Sequence, residues 1–229
     1  MPKMPSRGFL NMQERRRQKP PPAYAPDGSK VKVADGYWNQ LKGKDPLLLC
    51  NQTLFTPAPD GRLIFRFLNE EVRVDPASAS LLRRNSDRWE KAEDPLLELA
   101  TVMYLNHVQD IYPIGRDIVG QKDLKEGHFF QGPHELKIAP LLERYGKDLR
   151  GFRETALKLG GEPVSMADAA FRLKPFPRIH LYYLLWEGDE EYPPRMSVLF
   201  DRSIENILPA DAIWGLVNRV STALLNGKV

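Results

Sequence analysis

The chain has 229 residues, 42% hydrophobic and 28% charged, a balance near the globular average that argues against wholesale disorder and against membrane classes. At this length one large domain buries enough surface to fold without metal or disulfide staples. Charge is segregated along the sequence: residues 1–32 hold eight Lys/Arg against two acids, about +6, so a total of +3 leaves the remainder near −3.

The first 32 residues read as a basic, Pro-rich flexible arm. Arg15, Arg16 and Arg17 precede Pro20, Pro21 and Pro22, and no apolar period is present to offset the entropy of ordering. Such an arm reads as a solvated tail. It can also contact an acidic protein surface or nucleic acid, and Pro21-Pro22-Ala23-Tyr24 suits an aromatic-grooved module. Among partners, the reading favours a protein reached through the arm over nucleic acid. A single α+β domain is expected over residues 33–229, an antiparallel sheet packed on several helices around one core.

Tyr37, Trp38 and Leu41 mark a short helix ending by Gly43 and Pro46. A three-stranded meander is expected next: residues 49–57, then 62–67 with Leu63, Phe65 and Phe67 on one face, then 71–75. Asp94-Pro95 opens a helix, since Asp caps exposed amides and Pro is tolerated in the first turn. Its apolar residues lie on every side, which predicts a central, buried helix. Residues 109–132 lose periodicity and contain Gly115, Gly120, Gly127 and Gly132; a loop this long in a compact domain is often functional. Helices follow with stripes Ile138, Leu141, Leu142, Tyr145 and Leu149, Phe152, Ala156, Leu159. Residues 169–173 alternate, residues 179–186 are apolar on both faces as in a central strand, and residues 195–200 return antiparallel. Pro209 opens a last helix with an inward stripe of Ile213, Leu216, Val217, Val220 and Leu224.

A single cysteine, Cys50, excludes an internal disulfide and any cysteine cluster able to hold zinc or an iron–sulfur centre within this chain. Its place after Leu47-Leu48-Leu49 reads as a buried, inert thiol rather than a nucleophile. A reducing compartment follows. With no apolar signal segment and no run of roughly 18 apolar residues to span a membrane, cytoplasmic localisation is expected.

The stretch Leu181-Tyr182-Tyr183-Leu184-Leu185-Trp186-Glu187-Gly188-Asp189-Glu190-Glu191-Tyr192-Pro193-Pro194, with Val198-Leu199-Phe200-Asp201 and the terminal helix, resembles the family of unknown function DUF3786. Leu157-Lys158-Leu159-Gly160-Gly161, Lys174-Pro175-Phe176-Pro177-Arg178 and Gly127-His128-Phe129-Phe130 carry the same likeness, from about Tyr37 to Leu225. Members occur mainly in anaerobic bacteria and archaea, and some are joined to a small cysteine-rich iron–sulfur domain. The resemblance therefore implies an accessory role near low-potential metal or corrinoid chemistry, with no activity attached. This chain lacks the cysteine-rich segment, so cluster binding does not carry over.

No phosphate-binding glycine loop and no serine nucleophile elbow is present. His128 and His134 bracket the glycine-rich loop and could meet Asp117 around a metal, but their spacing matches no recognised zinc motif, and no metal or cofactor is assigned. His180, among apolar strand neighbours, reads as a satisfied sheet residue. The leading expectation is a non-catalytic ligand- or partner-binding protein. It would use a cleft between the 109–132 loop (Arg116, Asp117) and the 187–194 turn (Trp186, Glu190, Tyr192), with Arg15, Arg16 and Arg17 of the arm reaching a partner. The alternative is an enzyme drawing acid–base chemistry from His128, His134, Glu187 and Asp189. That requires these groups to converge on one substrate.

Overall fold

In the computed structural model, residues 31–108 and 114–229 are described. Expectations for Arg15, Arg16, Arg17 and the rest of residues 1–30 lie outside them.

The chain folds as α+β, with six α-helices and two five-stranded antiparallel sheets among the described residues. Helix α1 (Asp35–Lys42) buries Trp38 and Leu41. The expected strand over residues 49–57 is instead helix α2 (Pro46–Thr53), followed by a two-residue strand β1 (Thr56–Pro57). The reason is local: the Asp45 carboxylate accepts the Leu47 N–H at 2.8 Å and Pro46 occupies the first turn. An apolar run this short does not distinguish helix from strand by itself.

Strands β2 (Leu63–Phe67) and β3 (Glu70–Asp75) pair as expected, and β4 (Ser80–Asn85) and β5 (Arg88–Lys91) extend the meander to five strands in sequential order. Helix α3 (Pro95–His107) is capped by Asp94 and buried from Leu96 to Asn106 on all but one position, the central helix its composition predicts.

The second sheet has the order β6 (Ile118–Gly120), β10 (Arg195–Asp201), β9 (Ile179–Trp186), β8 (Ala169–Phe176), β7 (Glu162–Pro163). The early and late strands thus form two sheets rather than the one expected. Their inner faces share one apolar core running from Val33 to Leu224. Phe176 joins them, its ring 5.3 Å from Phe65 and 4.7 Å from Tyr104.

Helices α4 (Ala139–Tyr145) and α5 (Leu149–Lys158) carry the predicted stripes. Helix α6 (Ala210–Asn226) packs its stripe on β9 and α3; the Tyr183 hydroxyl lies 3.2 Å from the Val217 carbonyl and 3.0 Å from the Ser221 hydroxyl. At Gly215 a Cβ would stand 3.5 Å from Leu99 Cδ2, so α3 and α6 approach closely there. Along β9 the odd residues face the main core, while Tyr182, Leu184 and Trp186 face a second small cluster with Val164, Met166 and Ala167. Both faces are covered, as two-sided apolarity requires.

Candidate functional site

The glycine-rich stretch after α3 is not featureless. Past β6 it forms three 3-10 turns, at Gln121–Asp123 beside β10, and at Gly127–Phe129 and Gly132–His134 near the start of α6. Gly127 permits the close approach: a Cβ there would stand 2.6 Å from the Gln121 carbonyl oxygen.

Two pockets flank this corner. A small one, about 70 Å³, is walled by Leu124, Phe130, Leu208 and Ile213, with Glu205 at its edge. Glu205 is mostly buried; one carboxylate oxygen accepts the Lys125 N–H, and the other lies 3.7 Å from the Arg202 guanidinium. The larger pocket, about 320 Å³, lies between Phe129 and His134 of the loop, Leu99 of α3, and Asp211 and Trp214 of α6. Its remaining wall is Val31 and Lys32, where the described chain begins. Phe129 stacks on His134 with ring centroids 4.2 Å apart, and His134 meets Trp214 edge-on at 5.8 Å. Phe129 also meets Phe130 edge-on at 5.6 Å, so one locked aromatic wall separates the two pockets.

The expected site residues are dispersed around this corner and beyond it. His134 joins the aromatic wall and His128 is exposed on a 3-10 turn. Arg116 is exposed, and Asp117 forms an ion pair with Arg202 Nε at 2.5 Å. Because β6 pairs with the Asp201 end of β10 while the 187–194 turn precedes its Arg195 end, Arg116 and Asp117 stand about 20 Å from that turn, the length of the strand. The single cleft expected between them is not formed.

Within the turn, the Asp189 carboxylate accepts the N–H groups of Glu191 and Tyr192 at 2.9 and 2.7 Å, a turn-stabilising role. The Glu187 N–H donates to Asp168 at 2.9 Å; Glu187 and Glu190 are exposed. Tyr192 is 68% exposed, whereas the Trp186 ring is covered by the chain's own cation, with Arg195 Cζ 4.3 Å from its centroid.

His134 and the acidic turn lie toward opposite ends of α6. A Cβ at Gly146 would stand 3.1 Å from Pro194 Cγ of the turn, and adjacent Tyr145 donates to the Leu224 carbonyl at 2.7 Å. Trp214, beside His134, is ten residues earlier on the same helix, about 15 Å along its axis. Convergence of His134 with Glu187 and Asp189 on one substrate is therefore absent. No group of three or more His, Cys, Asp or Glu able to hold a metal occurs among the described residues. Cys50 is buried, and burial pushes its thiol up.

His180 departs from expectation. Its Nδ1 is buried without a hydrogen-bond partner on the outer face of β9. Burial lowers its pKa, Arg172 and Lys174 add to the effect, and Asp201 and Glu162 oppose it. Glu162 in turn bridges Arg172 and Lys174, whose hydrogen bonds hold its carboxyl down at about 2. A histidine harder to protonate when folded gives stability that is complete above its unfolded value of 6.5 and declines as pH falls below it. Urea unfolding at pH 7.5 and 5.5 should show a steeper loss for the parent than for His180→Gln; equal slopes would assign the dependence to other groups.

Residues 45–223 match the family model described as "Domain of unknown function (DUF3786)", and the chain belongs to that family. No curated protein and no solved structure gives a significant match. Among the described residues no helix is long and apolar enough to cross a membrane.

The candidate corner includes part of the glycine-rich loop singled out in the sequence, together with Phe129, Asp211, Trp214, Val31 and Lys32, which the sequence reading did not single out. The usable signal was on α6: Asp211 and Trp214 are three apart, adjacent on one helical side, just off the Ile213, Leu216, Val217 stripe.

Proposed function

We propose that this is a cytoplasmic binding or accessory protein whose ligand or partner seats at the corner formed by the 120–134 loop and the start of α6. The observation carrying this reading is the aromatic-walled pocket of about 320 Å³ that opens beside Val31 and Lys32. Concave sites of a few hundred Å³ with apolar walls and a few polar groups are where small ligands and anchoring side chains bind. The pocket also unites the two features that stand out in the sequence, a long glycine-rich loop and a basic arm. The family likeness adds a setting, accessory work beside anaerobic metal or corrinoid chemistry; the basic arm, which lies outside the matched residues 45–223, would reach a protein partner.

The test is to purify the full chain anaerobically from its native host and record its ultraviolet–visible spectrum, metal content and native mass. A chromophore, stoichiometric metal or added subunit mass is expected, and it should be lost in the surface variant Asp211→Arg, which reverses the charge at the pocket. A colourless, metal-free, lone species that no member of a small-molecule library stabilises thermally would overturn the reading.

A further inference from the structure

The second sheet leaves part of one edge open. Strand β6 pairs with β10 only at Leu199, Phe200 and Asp201. It stops at Gly120, whose N–H donates to the Asp123 carboxylate at 3.1 Å, and the chain turns away through Gln121–Asp123. Residues 195–198 of β10 therefore pair with β9 on one side and with no strand on the other among the described residues. The ladder fixes which main-chain groups face the open side. The Arg202 N–H donates to the Asp117 carbonyl at 2.8 Å, so residue 202 points toward β6. Strand groups alternate in direction, so Phe200, Val198 and Met196 point the same way. The Val198 N–H and both main-chain groups of Met196 have no hydrogen-bond partner among the described residues. Both residues are nearly buried, and a buried main-chain group left unpaired costs about as much as a lost hydrogen bond.

A groove of about 440 Å³ opens onto these groups, with Leu136, Ile138 and Ala139 along its other wall and the 120–123 turn beside it. We propose that this groove takes an extended peptide of a partner protein, which adds to β10 as a strand in line with β6. The unpaired groups specify that occupant, because a row of free strand N–H and C=O groups is satisfied by another strand. Met196 and Val198 direct their side chains to the core. Peptide residues opposite them share that face and meet Leu136 and Ile138, so the peptide carries apolar, β-branched residues at every second position. The groove rim has Asp123 and Glu135 against Lys122, two acids to one base, which favours a basic residue beside the strand. The open edge is four residues, about 14 Å long. That length suits one extended peptide and is short for the roughly 1,200 Å² or more that a stable pair of copies buries. The free edge of the first sheet is built differently: β5 carries Arg88, Glu90 and Lys91, charges that oppose strand addition, whereas residues 195–198 carry only Arg195. The groove shares no wall residue with the aromatic pocket, and the proposal does not depend on that pocket being a binding site.

Amide hydrogen exchange, read residue by residue by NMR on the full chain, tests the pairing directly. In the free protein Met196 and Val198 should exchange about tenfold or more faster than Ser197 and Leu199, which turn toward β9. Acetyl-Lys-Val-Thr-Val-Thr-Val-Lys-amide at millimolar concentration should slow Met196 and Val198 about tenfold and leave Ser197 unchanged. N-methylating its valines removes the N–H groups that face β10 and should abolish the protection. N-methylating its threonines leaves those groups in place and should preserve it. Ala139→Arg, at an exposed position on the groove wall, should weaken the peptide about tenfold without altering the exchange pattern of the free protein. If the two methylated peptides protect alike, side chains dock without strand addition and the proposal is overturned. It is overturned equally if the unmethylated peptide protects neither amide. Met196 and Val198 already slow in the free protein would mean that the edge is filled without a partner, by a second copy if the native mass is doubled and by the chain itself if it is not, and either result also overturns it.

Discussion

Phe176→Ala should lower stability by about 3–5 kcal/mol, the cost of removing a buried aromatic ring and leaving its cavity. Phe176 is fully buried, and its ring stacks nearly parallel on Tyr104 at 4.7 Å, within 5.3 Å of Phe65, 6.2 Å of Phe67 and 6.4 Å of Phe55. Those rings come from β8, α3, β2 and the residues before β1, so one side chain holds the seam between the two sheets. The seam cannot close over the gap easily. Tyr104 is pinned by its hydroxyl donating to the Thr53 carbonyl at 2.8 Å, and Arg178 nearby donates to the Gln52 carbonyl at 2.7 Å. Urea denaturation reads the effect as a lower midpoint with unchanged slope. Phe176→Leu should cost roughly half as much, since it leaves a smaller void. A loss under about 1 kcal/mol for Phe176→Ala would mean that the seam collapses freely and that the sheets are held elsewhere.

That seam illustrates how far the sequence alone could be read. The alternation of Leu63, Phe65 and Phe67 and the apolar run at residues 179–186 identify strands because their periodicity is local and strong. Whether the early and late strands share one sheet depends on long-range pairing, to which periodicity is blind. Here Phe176 meets Phe65 through stacked rings while the two sheets keep separate hydrogen-bond ladders. The misread segment at residues 49–57 has a different cause. Asp45-Pro46 carries the same cap signal as Asp94-Pro95, but the short Leu-rich run that follows also suits a buried strand.

The candidate corner was legible only in outline. Gly127 is needed where the loop crosses the Gln121 carbonyl, and glycine spacing is visible in a sequence. Which aromatic residues the loop meets is not visible, because Trp214 reads as one more apolar residue on a core helix. Charged candidates misled for a related reason: Asp117 and Asp189 are bound to their neighbours, Arg202 in one case and turn amides in the other. Carboxylates rich in local partners stabilise turns and edges, and their spacing alone does not distinguish that role from chemistry.

Asp94→Ala is the second substitution with a large expected effect, about 3–5 kcal/mol from the ion pair and about 1 kcal/mol from the lost helix cap. One Asp94 oxygen accepts the Leu97 N–H at 3.1 Å and so caps α3; the other accepts the Arg219 Nε of α6, with Arg83 Nη1 3.9 Å away. Arg219 is 8% exposed, so removing Asp94 strands a guanidinium where water reaches it poorly. Asp94→Asn separates the two contributions, because Asn is as good a cap but carries no charge. It should retain the helix start and still lose most of the stability. The double variant Asp94→Asn, Arg219→Met should recover much of that loss, since a buried pair replaced by apolar volume is often neutral, whereas a half-removed pair is not. An Asp94→Asn cost below about 1 kcal/mol would show that Arg219 finds water as a surface partner does. The clamp also bears on the candidate site. Asp94 and Arg219 tie together the two helices that supply Leu99 and Trp214 to the pocket, and the helices touch at Gly215, next to Trp214. Loosening the clamp should therefore broaden the Trp214 indole resonance before the protein unfolds, and the charge-free double variant should sharpen it again.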